Sequence, residues 1–343
     1  MRCAVIILNW NGAELLRRYL PVVLKHSPKE LARIVVADNG SEDESVALLR
    51  EQFPSVEVLE FDRNYGFAEG YNRAIAAVDE SIVCLLNSDV RVSARWLESP
   101  LQTFECSPKV AALQPKIRAE RNPGAFEYAG AAGGFIDRLG YPFCRGRIFD
   151  TVEDDQGQYD AAQSVFWASG ACLFIRRELY LEMGGLDGRF FAHQEEIDLC
   201  WRIVARGHCI VALGDSVVYH YGGASLDVAH PRKTYLNFRN NLLMLYKNMP
   251  EQQYRRVLPL RRILDFISIV QQILSGRFSH ALSILRAVRD SKRMCKDFAN
   301  DRQTNLAKTV VELPDGMRPY SIVWQYFVRR KRFYSSLENQ HKS

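Results

Sequence analysis

Several phosphate- and nucleophile-handling signatures are missing from these 343 residues. No G-x-x-x-x-G-K-[ST] loop occurs, which excludes a P-loop nucleotidase. No G-x-G-x-x-G follows the first apolar run, which argues against a dinucleotide-binding enzyme. No G-x-S-x-G elbow is present, so a serine hydrolase is excluded as well. Long hydrophobic runs are also missing. The longest uncharged apolar stretch of the last third, Phe266–Gly276, falls far short of the roughly 20 residues that cross a bilayer. The eight cysteines, Cys3, Cys84, Cys106, Cys144, Cys172, Cys200, Cys209 and Cys295, form no C-x-x-C pair. That spacing predicts neither a zinc site nor a disulfide framework and suits a reducing cytosol. The chain opens directly on an apolar strand, so no signal peptide is expected. Internal repeats and low-complexity tracts are absent too.

What remains is ordinary globular composition, 47% hydrophobic and 25% charged, enough for two domains or for one with an appendage. The net charge of +5 hides a division. Residues 230–343 carry 22 Lys/Arg against 8 Asp/Glu, whereas residues 1–229 carry 23 against 32. An acidic body with a basic tail predicts that the tail meets something anionic, a phospholipid surface or a nucleic acid. The acidic body and the lack of a recognition motif count against nucleic acid.

Strands and helices alternate through the first hundred residues. Ala4–Leu8, Ile34–Ala37, Val56–Phe61 and Ile82–Leu86 read as buried strands. Glu14–Lys25, a segment capped by Ser41 or Asp43 and running to Glu51, and Asn72–Val78 read as helices. This alternation predicts parallel βαβ units, hence an α/β fold with a mostly parallel sheet and helices on both faces. Residues 118–160 lack clear periodicity and read as an active-site loop or lid. Strands return over Gln163–Arg176, broken at Gly170, and at Ile210–Leu213 and Val217–Tyr219. Glu196–Arg206 reads as a helix ended by Gly207. Residues 232–300 read as helices. One of them bears an apolar stripe of Ile263, Phe266, Ile267, Val270, Ile273 and Leu274 among arginines, which either packs on the body or faces a membrane.

Three apolar runs stop at carboxylates: Asp38, Asp89 and the pair Glu195-Glu196. A site outside the carboxyl ends of parallel strands is the expectation. Asp38 serves either an Asx turn or a base N–H or ribose hydroxyl. Asp89 is either a cap or an oxygen ligand for a divalent cation beside a diphosphate. His220, at a strand end before Gly222-Gly223, is either a satisfied turn residue or a second ligand. Glu195 and Glu196 suit a helix N-terminus, and a glutamate there among Phe190, Phe191 and Trp201 also suits a raised pKa and proton abstraction from a hydroxyl.

Taken in order over about residues 3–225, these segments resemble the family 2 inverting glycosyltransferases of GT-A fold. The resemblance rests on Val5–Gly12, Val35–Ser41, Asn64-Tyr65-Gly66-Phe67-Ala68 with Asn72, Leu85–Asp89, Trp167–Ala171, Gly184–Asp187, Glu195–Arg202 and Tyr219–Gly223. Tyr235–Asn241 followed by Lys247-Asn248 resembles the rhamnosyltransferase-like branch. Two departures stand out: the first Asp of D-x-D is Asn87, and the E-D pair is Glu195-Glu196.

The resemblance implies a GT-A-type, Rossmann-like catalytic domain over residues 1–229. Its nucleotide-sugar half would be 1–105, and its acceptor half 106–229 with the lid at 118–160. A helical basic extension, 230–343, would follow and is a candidate for membrane association. The resemblance further implies a donor pocket of Leu8, Trp10, Asp38, Asn64, Asn72 and Ser88, and acceptor contacts from Trp167 and Asp198. Asp89 and His220 would hold Mg²⁺ or Mn²⁺, and Glu196, ahead of Glu195, would be the catalytic base. The donor would be a nucleotide-diphosphate sugar of dTDP or UDP type. The acceptor would be a saccharide, lipid-linked, at the inner face of the plasma membrane, in bacterial cell-surface polysaccharide synthesis. The alternatives are a non-catalytic nucleotide-sugar-binding subunit and a sugar nucleotidyltransferase. The second would want a Gly-rich loop where Asn9-Trp10-Asn11-Gly12 stands.

Overall fold

Strand residues that are apolar on both faces demand cover on both faces, and the first strand is of this kind. A computed structural model describes residues 1–222 and 230–338. In β1 (Cys3–Asn9), Cys3, Val5 and Ile7 enter one core while Ala4 and Ile6 enter the other, as the two-residue period of a strand requires. The first core is closed by α1 (Ala13–His26) through Leu16, Leu20 and Val23, and receives alternate residues of β2 (Ala32–Asp38). It is also covered by α2 (Ser45–Gln52), which follows β2 and leads into β3 (Glu57–Glu60). The second core is covered by α3 (Gly66–Ala76), ahead of β4 (Ile82–Asn87). The helix starting near residue 43 has Glu44 rather than Ser41 or Asp43 at its N-cap. Asp43 instead accepts the N–H groups of Ser45 and Ala13, each at 3.0 Å, and so ties the starts of α1 and α2 together.

The chain continues through β5 (Val90–Val92), α4 (Glu98–Cys106), β6 (Val110–Ala119) and β7 (Asn122–Phe126). Next come β8 (Gly134–Asp137), β9 (Pro142–Cys144), β10 (Arg147–Ile148), β11 (Thr151–Val152), β12 (Gln163–Val165) and β13 (Cys172–Arg176). Then follow α5 (Arg177–Glu182), α6 (Glu195–Ala205) and β14 (Cys209–His220). Among the described residues the main sheet has ten strands in the order β12-β14-β6-β13-β4-β1-β2-β3, with β5 on β14 and β7 on β6. Strands β1 to β4 are parallel, and β13 runs antiparallel to both β4 and β6. Residues before and after 105 therefore share one sheet. The two short strands expected near Ile210 and Val217 are one strand with an irregularity between Leu213 and Val217.

The expected lid at 118–160 is a packed layer. Strands β8–β11 join β15 (Met317–Arg318) in a second sheet ordered β11-β10-β9-β8-β15. Phe135, Ile136, Phe143, Cys144 and Ile148 are all within 1% of full burial. Strands of two to four residues separated by short turns are too short to show a two-residue period.

The C-terminal part is α7 (Pro231–Asn248), α8 (Glu251–Leu274), α9 (Phe278–Met294) and α10 (Ala299–Ala307). Leu243, Met244 and Leu245 of α7 enter the second core together with Trp201 of α6. The extension is thus built into the body. No helix among the described residues is long and apolar enough to cross a membrane. Gly223 of the histidine segment and residues 339–343 of the expected extension lie outside the described residues.

Candidate active site

The strand order reverses direction at β1, which has β2 on one side and β4 on the other. Ligands bind outside the carboxyl ends of strands at such a switch point. Register brings the chemistry-bearing residues there side by side. Asn9 pairs with Asp38 across β1/β2, and Leu8 with Asn87 across β1/β4. Asp38 is buried, its carboxylate accepting from Asn9 Nδ2 at 3.0 Å and from the Ser41 N–H at 2.9 Å. Trp10 follows Asn9 and is 56% exposed over this edge.

Asp89 stands between β4 and β5, and β5 pairs with the end of β14, Val90 opposite His220. This pairing sets His220 Nε2 at 3.1 Å from Asp89 Oδ1 and holds the second carboxylate oxygen 3.2 Å from the Gly222 N–H. On its other side His220 Nδ1 lies 3.5 Å from Glu127. Burial opposes charge on the imidazole, but Asp89 and Glu127 together outweigh it and push His220 up to about 10. Burial likewise works to raise Asp89, and the His220 hydrogen bond more than offsets it, leaving the carboxyl below its ordinary value. Two carboxylates thus flank the imidazole, Asp89 on one side and Glu127 on the other.

Nitrogen and oxygen 3.1 Å apart match adjacent corners of an octahedron with bonds of about 2.1 Å. Among the described residues no three His, Cys, Asp or Glu side chains converge on one point. With its proton released, His220 would offer a nitrogen ligand beside the Asp89 oxygen, leaving the other positions of a bound cation to substrate oxygens and water.

Glu195 and Glu196 open α6 after an unusual turn: Phe191, His193 and Gln194 have φ of 69°, 69° and 75°. Three non-glycine residues in left-handed backbone are costly and persist only when their surroundings over-determine them. Here α7 supplies the restraint. Asn240 Nδ2 donates to the carbonyls of Phe190, Ala192 and His193 at 3.0, 2.8 and 2.7 Å, and Asn241 donates to Gln194 Oε1 at 3.2 Å. Glu196 is half-buried against Gly170, where an added Cβ would lie 3.8 Å from Glu196 Cβ and 3.3 Å from the Phe67 ring. Ala171, next to Gly170, accepts the Asn87 N–H at 3.0 Å, so Glu196 stands at the same end of the sheet as Asp89. Burial raises Glu196 to about 7. Glu195 is raised as well, by burial and then by Glu196, and its Oε2 has no hydrogen-bond partner among the described residues.

With this geometry in hand, similarity to known proteins is informative. The model of the family described as "Glycosyltransferase like family 2" matches residues 2–235. The chain belongs to that family. It is 27% identical over 257 residues to N-acetylglucosaminyl-diphospho-decaprenol L-rhamnosyltransferase of Mycobacterium tuberculosis, covering 68% of this chain and 82% of the relative. It is 28% identical over 230 residues to the pre-mycofactocin glycosyltransferase of the same species, covering 59% of this chain and 44% of that one. Among solved structures, S. aureus TarS 1–349 in complex with UDP-GlcNAc superposes with a TM-score of 0.59 at 15% identity, over 97% of this chain and 93% of that one. GalNAc-T7 with UDP, GalNAc and Mn²⁺ gives 0.59 at 15% identity, over 89% and 57%. The fold is GT-A and the chain is a glycosyltransferase.

The remaining residues expected at the transferase's site have varied surroundings. Leu8 and Ser88 are half-buried at the edge. Leu8 Cδ1 would be only 2.8 Å from a Cβ on Gly70, so that glycine lets α3 approach β1. Asn64 is exposed, accepting from Asn39 at 3.0 Å and from the Gly66 N–H at 2.8 Å, and fixes the start of α3. Asn72 turns the other way: its amide bonds the Leu186 carbonyl at 2.9 Å and the Leu186 N–H at 3.0 Å. Trp167 is enclosed, its Nε1 donating to the Phe135 carbonyl at 3.0 Å. Asp198 is fully buried and held by Arg202 at 3.1 Å, Lys247 at 2.8 Å and Asn248 at 2.7 Å. Neither Trp167 nor Asp198 reaches the crevice. A cavity of about 390 Å³ lies elsewhere, lined by Asn72, Gly185, Arg202, Lys247 and Asn305. Sequence reasoning missed Glu127, set in an aperiodic segment, and held Asn240 only as part of the family-like Tyr235–Asn241 stretch, without a role.

Proposed function

We propose that this glycosyltransferase is a metal-dependent, inverting enzyme. It moves a sugar, rhamnose being the first candidate, from a dTDP- or UDP-linked donor to a hydroxyl of a lipid-linked saccharide. The setting is the cytoplasmic side of the membrane, in cell-surface polysaccharide synthesis. The observation that carries the reading is the convergence of Asp38, the Asp89–His220 pair and Glu196 on the carboxyl ends of β1, β2 and β4. The named relative, a rhamnosyltransferase acting on a diphospho-decaprenol saccharide, supports the choice of donor sugar and acceptor class.

In this reading Trp10 lies against the nucleotide base, and Asp38 is the polar wall of the base and ribose subsite. Asp89 and His220 would hold Mg²⁺ or Mn²⁺, which when bound neutralises charge on the leaving diphosphate. Glu196, with its carboxyl raised to about 7, accepts the proton of the acceptor hydroxyl. That hydroxyl attacks the anomeric carbon from the face opposite the diphosphate, and a single displacement inverts it. A binding subunit without catalysis would not need a carboxylate with a raised pKa at this place.

The test has two stages. Thermal-shift screening of dTDP- and UDP-sugars with Mn²⁺ should raise the melting temperature for one donor, since a bound ligand stabilises by mass action. Asp89→Asn should weaken that metal-dependent binding by about tenfold or more. Transfer to a polyprenyl-diphosphate saccharide, with the product's anomeric configuration read by NMR, then decides the chemistry. A retained configuration would overturn the inverting assignment. Donor affinity indifferent to metal would overturn the role of Asp89 and His220.

A further inference from the structure

Helices α8 and α9 form a hairpin with two unlike faces. The inward face is buried: Arg261, Asp265 and Ile269 on α8, and Ala281, Ile284 and Ala287 on α9. Arg261 reaches the Leu139 carbonyl at 3.0 Å and lies over the Tyr141 ring. The outward face is apolar and left uncovered by the described residues. Ile263, Phe266, Ile267, Val270, Ile273 and Leu274 are all exposed, from 38% at Val270 to 82% at Leu274. Phe278, Leu282 and Leu285 of α9 continue the patch at 66%, 47% and 51%. So the stripe read from the sequence does not pack on the body. A contiguous apolar surface of this kind marks an interaction site.

We propose that this hairpin docks flat on an anionic phospholipid surface. Charge selects the occupant. Residues 255–296 hold ten Arg/Lys and only two acids. Of those acids, Asp265 is buried, and Asp290 is engaged by Arg289 and Tyr235. Arg262, Arg277, Arg286 and Arg289 are exposed around the patch. A second copy of the chain would bring like charges together, which is unfavourable at an interface. Lipid phosphate attracts each such cation, and the apolar side chains enter the acyl boundary, the arrangement of interfacial amphipathic helices. Buried Arg261 and Asp265 on the inner face keep the hairpin on the surface rather than across it.

The platform also lies close to the chemistry. Asn241 of α7 donates both to the Gly140 carbonyl, at 2.9 Å, and to Gln194, just before Glu195. Leu139, one residue from Gly140, is the partner of Arg261. Docking here would bring a membrane-borne acceptor to the base, but the docking itself does not depend on the donor or metal assignments.

Flotation of the full chain decides it. The vesicles are phosphatidylcholine alone, or phosphatidylcholine mixed with phosphatidylglycerol, at low and high salt. The chain should float with the mixed vesicles and bind neutral ones roughly tenfold less. The double variant Phe266→Glu, Ile267→Glu should lose about tenfold or more in binding, with unchanged circular dichroism and donor-induced thermal shift. Arg286→Glu with Arg289→Glu should abolish only the preference for anionic vesicles. If the wild-type chain stays at the bottom with both vesicle types, the proposal fails. It fails equally if the chain sediments as a dimer that Phe266→Glu separates, since the face is then a self-interface.

Discussion

Asn240 donates its side-chain amide to the carbonyl of His193 at 2.7 Å, across 47 residues of chain. The same nitrogen serves Phe190 and Ala192, so one helix side chain holds a turn in which Phe191, His193 and Gln194 are all left-handed. Releasing that turn lets Glu196 drift. Asn240→Ala should lower kcat by about 10²-fold, the scale expected from roughly 1 Å of misplacement. Donor affinity should stay near the parent's, because β1, β2 and β4 are untouched. A matching loss of donor affinity, measured by calorimetry, would show that the contact supports the whole domain instead.

Glu196, raised to about 7 by burial, is half protonated near that pH and works as a base only when ionised. Turnover at saturating donor should rise with pH through about 7 and level off above it. Glu196→Gln should lower turnover by roughly 10²–10⁴-fold and flatten the rise. A variant that keeps the rising limb would place the base elsewhere, with Glu195 next to be tried.

Glu195 has a different expected signature, in stability. Its carboxyl is raised by burial and by Glu196, and one oxygen lacks a partner among the described residues. An acid with a folded pKa above its unfolded value holds its proton more tightly when folded. Its contribution is fully present below about pH 4.3, the ordinary glutamate value, and is lost as pH rises through the raised folded value. Glu195→Gln removes this slope. Urea unfolding should find the variant gaining on the parent as pH rises, by roughly 1–3 kcal/mol once the parent's buried carboxylate ionises unpaired. A parallel pair of stability curves would contradict this.

Lys247 bridges Asp187 at 2.7 Å and Asp198 at 2.8 Å, with Lys247 and Asp198 buried and Asp187 half-buried. Burial works to raise Asp187, yet Arg189 and Lys247 outweigh it and hold the carboxyl well below its ordinary range. Lys247→Met removes one cation from carboxylates that keep Arg189 and Arg202, and should cost about 1–3 kcal/mol in chemical denaturation. Adding Asp198→Asn should recover part of the loss, because the two residues share one network.

The sheet and its acidic rim were legible in the sequence for one reason. Runs such as Ile82–Leu86, apolar on both faces, are what a covered parallel strand must be, and the carboxylate that follows marks its end. Asp38, Asp89 and His220 could therefore be placed without coordinates. The second sheet could not, because strands as short as Arg147–Ile148 and Thr151–Val152 carry no period. Trp167 and Asp198 sat in motif-like company, but position along a chain does not say whether a side chain points to solvent or to core. The Asp198–Arg202 pair was readable from its four-residue spacing. Lys247, which completes that pair's surroundings from a helix far along the chain, was not.

The pairing of Met317 with Ile136 has a consequence for synthesis. Until the ribosome has delivered residue 318, the Gly134–Asp137 strand presents a bare edge, Asp137 lacks the Ile322 N–H that it accepts at 2.8 Å, and Phe135 lacks the Tyr334 ring stacked on it. The main sheet is complete once β14 has emerged, because β4 takes β13 as its neighbour and β5 takes β14, so the nascent chain matures in two instalments. Translation that stalls near residue 310 would leave the main sheet assembled beside a sticky, unfinished second one.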